Sequence, residues 1–150
     1  PYPGIAIDRL WSVLRMNEPA RRLFGALGIN EGESLLDMML SENLPPLIEN
    51  WPDVAHHAAQ RLRTESAAQG GVARLDRAAD KLAATAGAGT ANVGPVVPTI
   101  YRTPTTRLSL FAIIAQFGTP EDLLLDDLKV ELFFPADPET DHALRAMSGE

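Results

Sequence analysis

The hydrophobic period changes once along this chain, and this change constrains the fold more than any other feature of the sequence. Between residues 17 and 84, apolar side chains recur every three or four residues, which predicts helices. One predicted helix shows this spacing in Trp51, Val54, Ala55, Ala58 and Leu62. From residue 98 onward, short apolar segments are separated by Pro, Gly and Thr, which predicts strands joined by turns.

Five strands are predicted. Segments 5–10 and 12–16 are short and joined by a tight turn, and the first of them is rich in β-branched residues. Segments 98–102, 107–117 and 128–134 follow the helical part of the chain. Segment 107–117 is apolar on both faces, which is typical of a central strand that is covered on both sides.

Capping residues divide the helical part. Asn17 and Pro19 predict a helix start, and Ser34 begins a second helix with a capping box. Residues 84–94 are mostly Ala, Gly and Thr with little to bury, and we predict a mobile loop there. A last helix is predicted for residues 140–147.

The order of elements is two strands, a helical insertion and three strands. This order predicts an α+β domain in which a five-stranded antiparallel sheet carries helices on one face. A chain of 150 residues is the usual size of one domain with one hydrophobic core. We therefore treat residues 1–150 as a single domain.

Composition excludes several classes of protein. The chain has no cysteine, which removes disulfides, Cys-ligated metals and thiol nucleophiles. Its net charge of −7 makes it a poor binder of nucleic acid by itself. It shows neither a signal peptide nor an apolar run of the roughly 18 residues that a membrane span needs. We expect a cytoplasmic location.

No catalytic or metal-binding constellation is visible. His56 and His57 are adjacent, so on a helix they point in different directions and cannot hold one metal ion as an i, i+4 pair can. Ser109 lies inside a predicted strand and not in a Gly-x-Ser-x-Gly turn. We expect no enzymatic activity, no metal and no cofactor other than a possible bound lipid.

Four segments, in this order and spacing, resemble one known family. Residues 13–25 are similar to the entry of a PAS domain, and residues 50–65, 117–128 and 131–137 extend the likeness. Together they resemble the MmyB-like ligand-binding domain, which follows an XRE-type helix-turn-helix in bacterial transcription regulators. The resemblance covers about residues 3 to 144.

The resemblance implies a PAS-like fold, for which we predict the strand order 2-1-5-4-3. It also implies a pocket for a small, fatty-acid-like ligand and a dimeric regulator that binds DNA. The chain begins with Pro1 and contains no helix-turn-helix, so we expect it to be the C-terminal part of a longer regulator. DNA is then a partner only through an N-terminal domain outside residues 1–150.

We predict the pocket between the helical face of the sheet and the helix at residues 51–69. Small side chains such as Ala58 and Ala112 leave room among larger ones, and Met39 adapts its shape. A filled hydrophobic core is the alternative. The predicted ligand-binding residues are Leu36, Met39, Val54, His57, Ala58, Arg61, Leu62, Tyr101, Leu110, Ala112, Ile114, Leu132 and Phe134.

Arg61 has two possible roles. It lies one helical turn after His57 at the edge of the apolar stripe, where it suits the carboxylate of a fatty acid. It also lies one turn before Glu65, with which it can form an ordinary i, i+4 ion pair.

The second face of the predicted sheet carries apolar residues that are too many for bare solvent. They are Phe111, Ile113, Phe117 and Phe133. Such a patch usually marks an interface, so we predict a homodimer or a docking surface for the N-terminal domain. Two alternatives stay open: the chain's own termini cover the face, or the domain is a dimerisation or interaction module that binds no ligand.

Overall fold

A five-stranded antiparallel sheet forms the centre of the structure, a computed structural model that describes residues 1–87, 96–102, 105–116 and 128–149. The strands are β1 (Gly4–Ile7), β2 (Val13–Met16), β3 (Thr99–Arg102), β4 (Arg107–Gln116) and β5 (Lys129–Pro135). Their spatial order is β2-β1-β5-β4-β3. The predicted α+β class and the PAS-like strand order are both confirmed.

In the described residues, four α-helices lie between β2 and β3, as predicted, and a fifth follows β5. They are α1 (Glu18–Ala26), α2 (Leu35–Met39), α3 (Trp51–Ala68), α4 (Ala73–Ala86) and α5 (Pro138–Ser148). A short 3₁₀ helix, Pro45–Leu47, connects α2 to α3. Within the described parts of the chain, no helix is both long enough and apolar enough to cross a membrane.

The predicted caps form. The Asn17 side-chain oxygen accepts hydrogen bonds from the backbone N–H of Ala20 and of Gly4, each at 3.0 Å, so one residue both starts α1 and ties it to β1. Ser34 Oγ accepts from the Asp37 N–H at 3.1 Å at the start of α2. These local signals explain why the helices begin where the sequence predicts.

The turn between β1 and β2 is longer than predicted, because β1 ends at Ile7 and β2 begins at Val13, which leaves residues 8–12 in the connection. An Asp8 carboxylate oxygen accepts from the backbone N–H of Leu10 and of Ser12, each at 2.8 Å. Trp11 adopts a φ of 66°, in the left-handed region that side chains other than Gly rarely enter. The turn thereby directs the Trp11 side chain into the core, where it is 2% exposed.

The register of β4 against β5 decides which side chains share a face. Directly paired residues point to the same side of an antiparallel sheet, and Ala112 pairs with Phe133 while Ile114 pairs with Glu131. We call this side the inner face. Phe111 pairs with Phe134 and Ile113 with Leu132 on the opposite side, the outer face.

Three residues therefore lie on the opposite face from the one predicted. Leu132 and Phe134 were expected with Ala112 and Ile114, but they are on the outer face. Phe133 was expected on the outer face, but it is on the inner face, where its ring packs edge-on against Phe24 at 4.9 Å. The reason is a one-residue offset: a strand alternates its side chains, so an error of one in register reverses every residue.

The outer face is partly covered by the chain itself. The Tyr2 ring lies 5.3 Å from the Phe134 ring, and the Tyr2 hydroxyl donates to Asp141 of α5 at 2.8 Å. Phe111 lies 5.9 Å from Phe134 and is half-buried. The N-terminal segment and α5 thus cover the outer face around Phe134, as one of the alternatives predicted. Ile113 and Leu132 remain 50% and 38% exposed.

The predicted loop after the fourth helix and the predicted C-terminal helix have different outcomes. The first residues of the loop expected from residue 84 are helical, because α4 continues through Ala86, which is 5% exposed and packs in the core. Residues 88–94 of that predicted loop lie outside the described residues, as does Phe117, the fourth predicted interface residue. The predicted C-terminal helix is confirmed as α5.

Candidate functional site

A cavity of about 190 Å³ lies between the inner face and the helices. Ala112 and Ile114 line it and are exposed, so the cavity opens to the surface along this part of β4. Of the predicted ligand-binding residues, those that line the cavity are Met39, Val54, His57, Ala58, Arg61, Tyr101, Leu110, Ala112 and Ile114.

Four predicted residues do not line the cavity. Leu36 and Leu62 are 1% and 0% exposed and belong to the filled core. Leu132 and Phe134 are on the outer face, for the reason of register given above. The cavity and a filled core therefore lie side by side in different parts of the same apolar cluster, and ligand binding in the cavity stays a prediction.

Several residues that line the cavity were not predicted from the sequence, because they come from other parts of the chain. Trp11, Phe24, Phe133 and Glu131 all line the cavity. Phe133 and Glu131 alternate along β5 with Leu132 and Phe134, the two residues that were predicted. The correct register of β5 would have identified them. No sequence pattern pointed to Trp11, because its direction depends on the turn after β1.

Arg61 is paired with two carboxylates and not with one. Its Nε donates to Glu65 Oε1 at 2.8 Å, and its Nη2 donates to Glu131 Oε1 at 2.5 Å. Its guanidinium also lies over the Trp11 ring, 4.3 Å from the ring centroid. The expected pairing with Glu65 is confirmed, and the pairing with Glu131, 70 positions later, comes only from the fold.

Two more groups complete this buried network. The Trp11 indole N–H donates to Glu65 Oε2 at 2.7 Å, and Lys129 Nζ lies 2.5 Å from the same oxygen. The Lys129 ammonium is buried, and within the described residues no group accepts a well-directed hydrogen bond from it. The network contains two cations and two anions, so its formal charge is zero.

The network shifts the ionisation of its members. Burial by itself lowers the pKa of Arg61, but the charges and hydrogen bonds of Glu131 and Glu65 raise it overall. Burial by itself raises the pKa of Glu65, but Arg61, Lys129 and Trp11 together lower it overall. Both groups therefore stay charged at neutral pH, and the cluster is a set of ion pairs.

Two other titratable groups line the cavity. Burial, assisted by the charge of Glu131, raises the pKa of Tyr101, so its hydroxyl stays protonated and able to donate. His57 lies at the exposed edge of the cavity, where burial of part of its ring and the charges of Arg61 and His56 lower its pKa. The neutral form of His57 is therefore favoured in the folded protein.

We expect the His57→Gln variant to lose less stability than the wild type between pH 7.5 and pH 5.5. Because the folded state lowers the pKa of His57, the unfolded chain takes up the proton first, and stability falls as the pH drops below about 6.5. Melting temperatures across this range measure the effect. His142→Gln, at an exposed position on α5, is the control, and an identical pH profile for His57→Gln and the wild type would contradict the expectation.

Ser109, the serine considered for hydrolytic chemistry, is not among the residues that line the cavity. Its backbone N–H donates to Thr140 Oγ1 at 2.9 Å in the sheet. Across the described segments, no group of three His, Asp or Glu side chains is placed to hold a metal ion. The site is an apolar cavity with one polar corner, which is formed by Arg61 and Glu131.

Residues 1–147 match a family model described as the MmyB-like transcription regulator ligand binding domain. The match covers almost the whole chain and includes every described residue that lines the cavity. A search of curated proteins finds no match to this sequence.

Proposed function

This chain belongs to the MmyB-like transcription regulator ligand binding domain family, and from that premise we propose that it senses a small apolar ligand with a fatty-acid-like hydrocarbon chain. The ligand occupies the cavity between the inner face and the helices. The domain acts as the effector-sensing part of a bacterial regulator and carries out no catalysis.

The observation that supports this proposal is the cavity itself. Most of its lining is apolar, and the small side chains of Ala58 and Ala112 stand where larger ones would fill the space. Protein interiors are normally packed without voids much larger than a water molecule. A space of about 190 Å³ beside a filled core is smaller than the roughly 300 to 1,000 Å³ of most ligand pockets, but it is larger than packing defects and has the apolar lining of such sites.

The size of the cavity limits how the ligand fits. An engineered apolar cavity of about 150 Å³ holds one benzene molecule. By that comparison the cavity here, about 190 Å³, takes roughly six to eight carbon atoms. A longer chain then extends through the opening beside Ala112 and Ile114.

Thermal shift with saturated chains of ten to eighteen carbons tests the proposal. A ligand present at 100 times its Kd stabilises the folded protein by about 2.7 kcal/mol. We expect at least one chain length to raise the melting temperature, and native mass spectrometry to find it bound in equimolar amount. If no apolar compound shifts the melting temperature, the interaction-module alternative replaces this proposal.

The alternative function, an interaction module, is supported by a different observation. Part of the outer face is not covered by the rest of the described chain. Ile113 and Leu132 lie side by side there with 50% and 38% exposure. We propose that this patch is the contact between two copies of the chain, as suits a regulator that binds two DNA half-sites. DNA contact belongs to a domain outside residues 1–150, and the complete regulator works in the cytoplasm.

We expect sedimentation at micromolar concentration to show a dimer for the wild type and a monomer for Ile113→Glu. A carboxylate at this position places an unpaired charge in the middle of an apolar contact. Ile113 is a better choice than Phe111, because Phe111 already packs against Phe134 within the chain. A wild type that stays monomeric removes the dimer and leaves the ligand proposal untouched.

A further inference from the structure

In the described residues at the polar corner of the cavity, each cationic side chain is already paired with a carboxylate, so none is left to pair with a negatively charged ligand. Arg61 is the only cationic side chain that lines the cavity within the described residues, and two of its three nitrogens, Nε and Nη2, already donate to Glu65 and Glu131, which balance its charge. Lys129 lies against Glu65. A carboxylate that enters this corner finds a cluster whose charges are already balanced.

The same corner does present a free acceptor. Glu131 is 3% exposed and lines the cavity. Its Oε1 accepts from Arg61, while no described residue donates to its Oε2. A carboxylate oxygen of a cavity-lining residue that accepts no hydrogen bond within the protein attracts a hydrogen-bond donor and repels a second negative charge.

We propose that the ligand's head group is uncharged and donates a hydrogen bond to Glu131, as a hydroxyl does. This inference rests on the proposed function, since it specifies the polar end of the same ligand. The class of ligand is an alkyl chain ending in an alcohol or another neutral donor. A fatty acid meets this requirement only in its protonated form.

The test compares three ten-carbon compounds that differ only at the head: 1-decanol, decanoate and methyl decanoate. The alcohol donates, the carboxylate carries a charge at neutral pH, and the ester accepts without donating. We expect the wild type to bind decanol at least about tenfold more tightly than decanoate, because like charges placed together in an interface cost several kcal/mol. The ester is expected to bind more weakly than the alcohol. Quenching of the tryptophan fluorescence reports binding, since Trp11 lines the cavity.

The Glu131→Gln variant tests the assigned partner. The substitution removes the charge that repels the carboxylate and releases Arg61 from one of its two acids. We expect the preference for decanol over decanoate to disappear or reverse. Glu139→Gln, an exposed position on α5, is the matched control and should keep the wild-type preference. The three-compound comparison on the wild type needs no variant, so it decides the question even if Glu131→Gln does not fold.

The outcomes separate this inference from the proposed function. Decanoate that binds as tightly as decanol, or an ester that equals the alcohol, overturns the head-group assignment and leaves the apolar pocket standing. A preference that Glu131→Gln does not change overturns Glu131 as the partner. Binding of none of the three compounds overturns both proposals.

Discussion

The Ala112→Trp variant is expected to lose binding of any apolar ligand by about 100-fold or more. Ala112 lies on the inner face of β4 and lines the cavity at its opening. An indole at this position occupies much of a space of about 190 Å³ and removes the apolar surface that the hydrocarbon chain would bury. Each methylene excluded from the cavity costs about 0.8 kcal/mol of binding free energy.

The matched control is Ala115→Trp in the same strand. Ala115 is exposed and pairs with Val130 on the outer face, so its indole points away from the cavity. Isothermal titration with the best chain from the thermal-shift series compares the two variants, and melting curves confirm that both are folded. Unchanged affinity in Ala112→Trp would place the ligand elsewhere.

The Arg61→Ala variant is expected to destabilise the fold by about 3 kcal/mol, because removing one partner of a buried ion pair leaves an uncompensated charge. Here the group left behind is Glu131, whose side chain is only 4% exposed. For a chain of this size the expected fall in melting temperature is roughly 6 to 12 °C. Urea unfolding measures the free energy directly.

Two controls show whether burial is the cause. Arg63 is two residues away and pairs with Asp80 at 3.1 Å, but its side chain is 51% exposed. Arg63→Ala should therefore change the free energy of unfolding by less than about 0.5 kcal/mol. The double variant Arg61→Met with Glu131→Leu removes one charge of each sign and should recover most of the loss, since apolar replacements of a buried pair are often neutral. Equal losses for Arg61→Ala and Arg63→Ala would contradict this account.

The order of elements and most helix starts were predictable from the sequence, because the signals are local. Asn17 and Ser34 cap the helices that follow them through bonds to residues three positions later. The apolar stripe of α3 packs on the core as its spacing predicts. The helical side of the pocket was found for the same reason: Val54, Ala58 and Arg61 all lie on that helix.

The extent of α4 was not predicted, because its last turn looks like a loop by composition. Ala83 to Ala86 contribute little apolar surface of their own. Ala86 is nevertheless 5% exposed, since packing of α4 against the rest of the core extends the helix. The high helix propensity of Ala and the burial of Ala86 act in the same direction here, and the loop prediction gave too little weight to that propensity.

By itself, the sequence determined the α+β class, the position of the helical insertion and the family of the chain, since periodicity, caps and motifs are properties of neighbouring residues. Only the tertiary structure decided which face each β5 residue takes, because a shift of one residue in register exchanges Phe133 with Leu132 and Phe134. It alone also brought Glu131 to Arg61, across 70 positions of sequence. The polar corner of the cavity depends on that contact, and no local pattern records a meeting between two distant side chains.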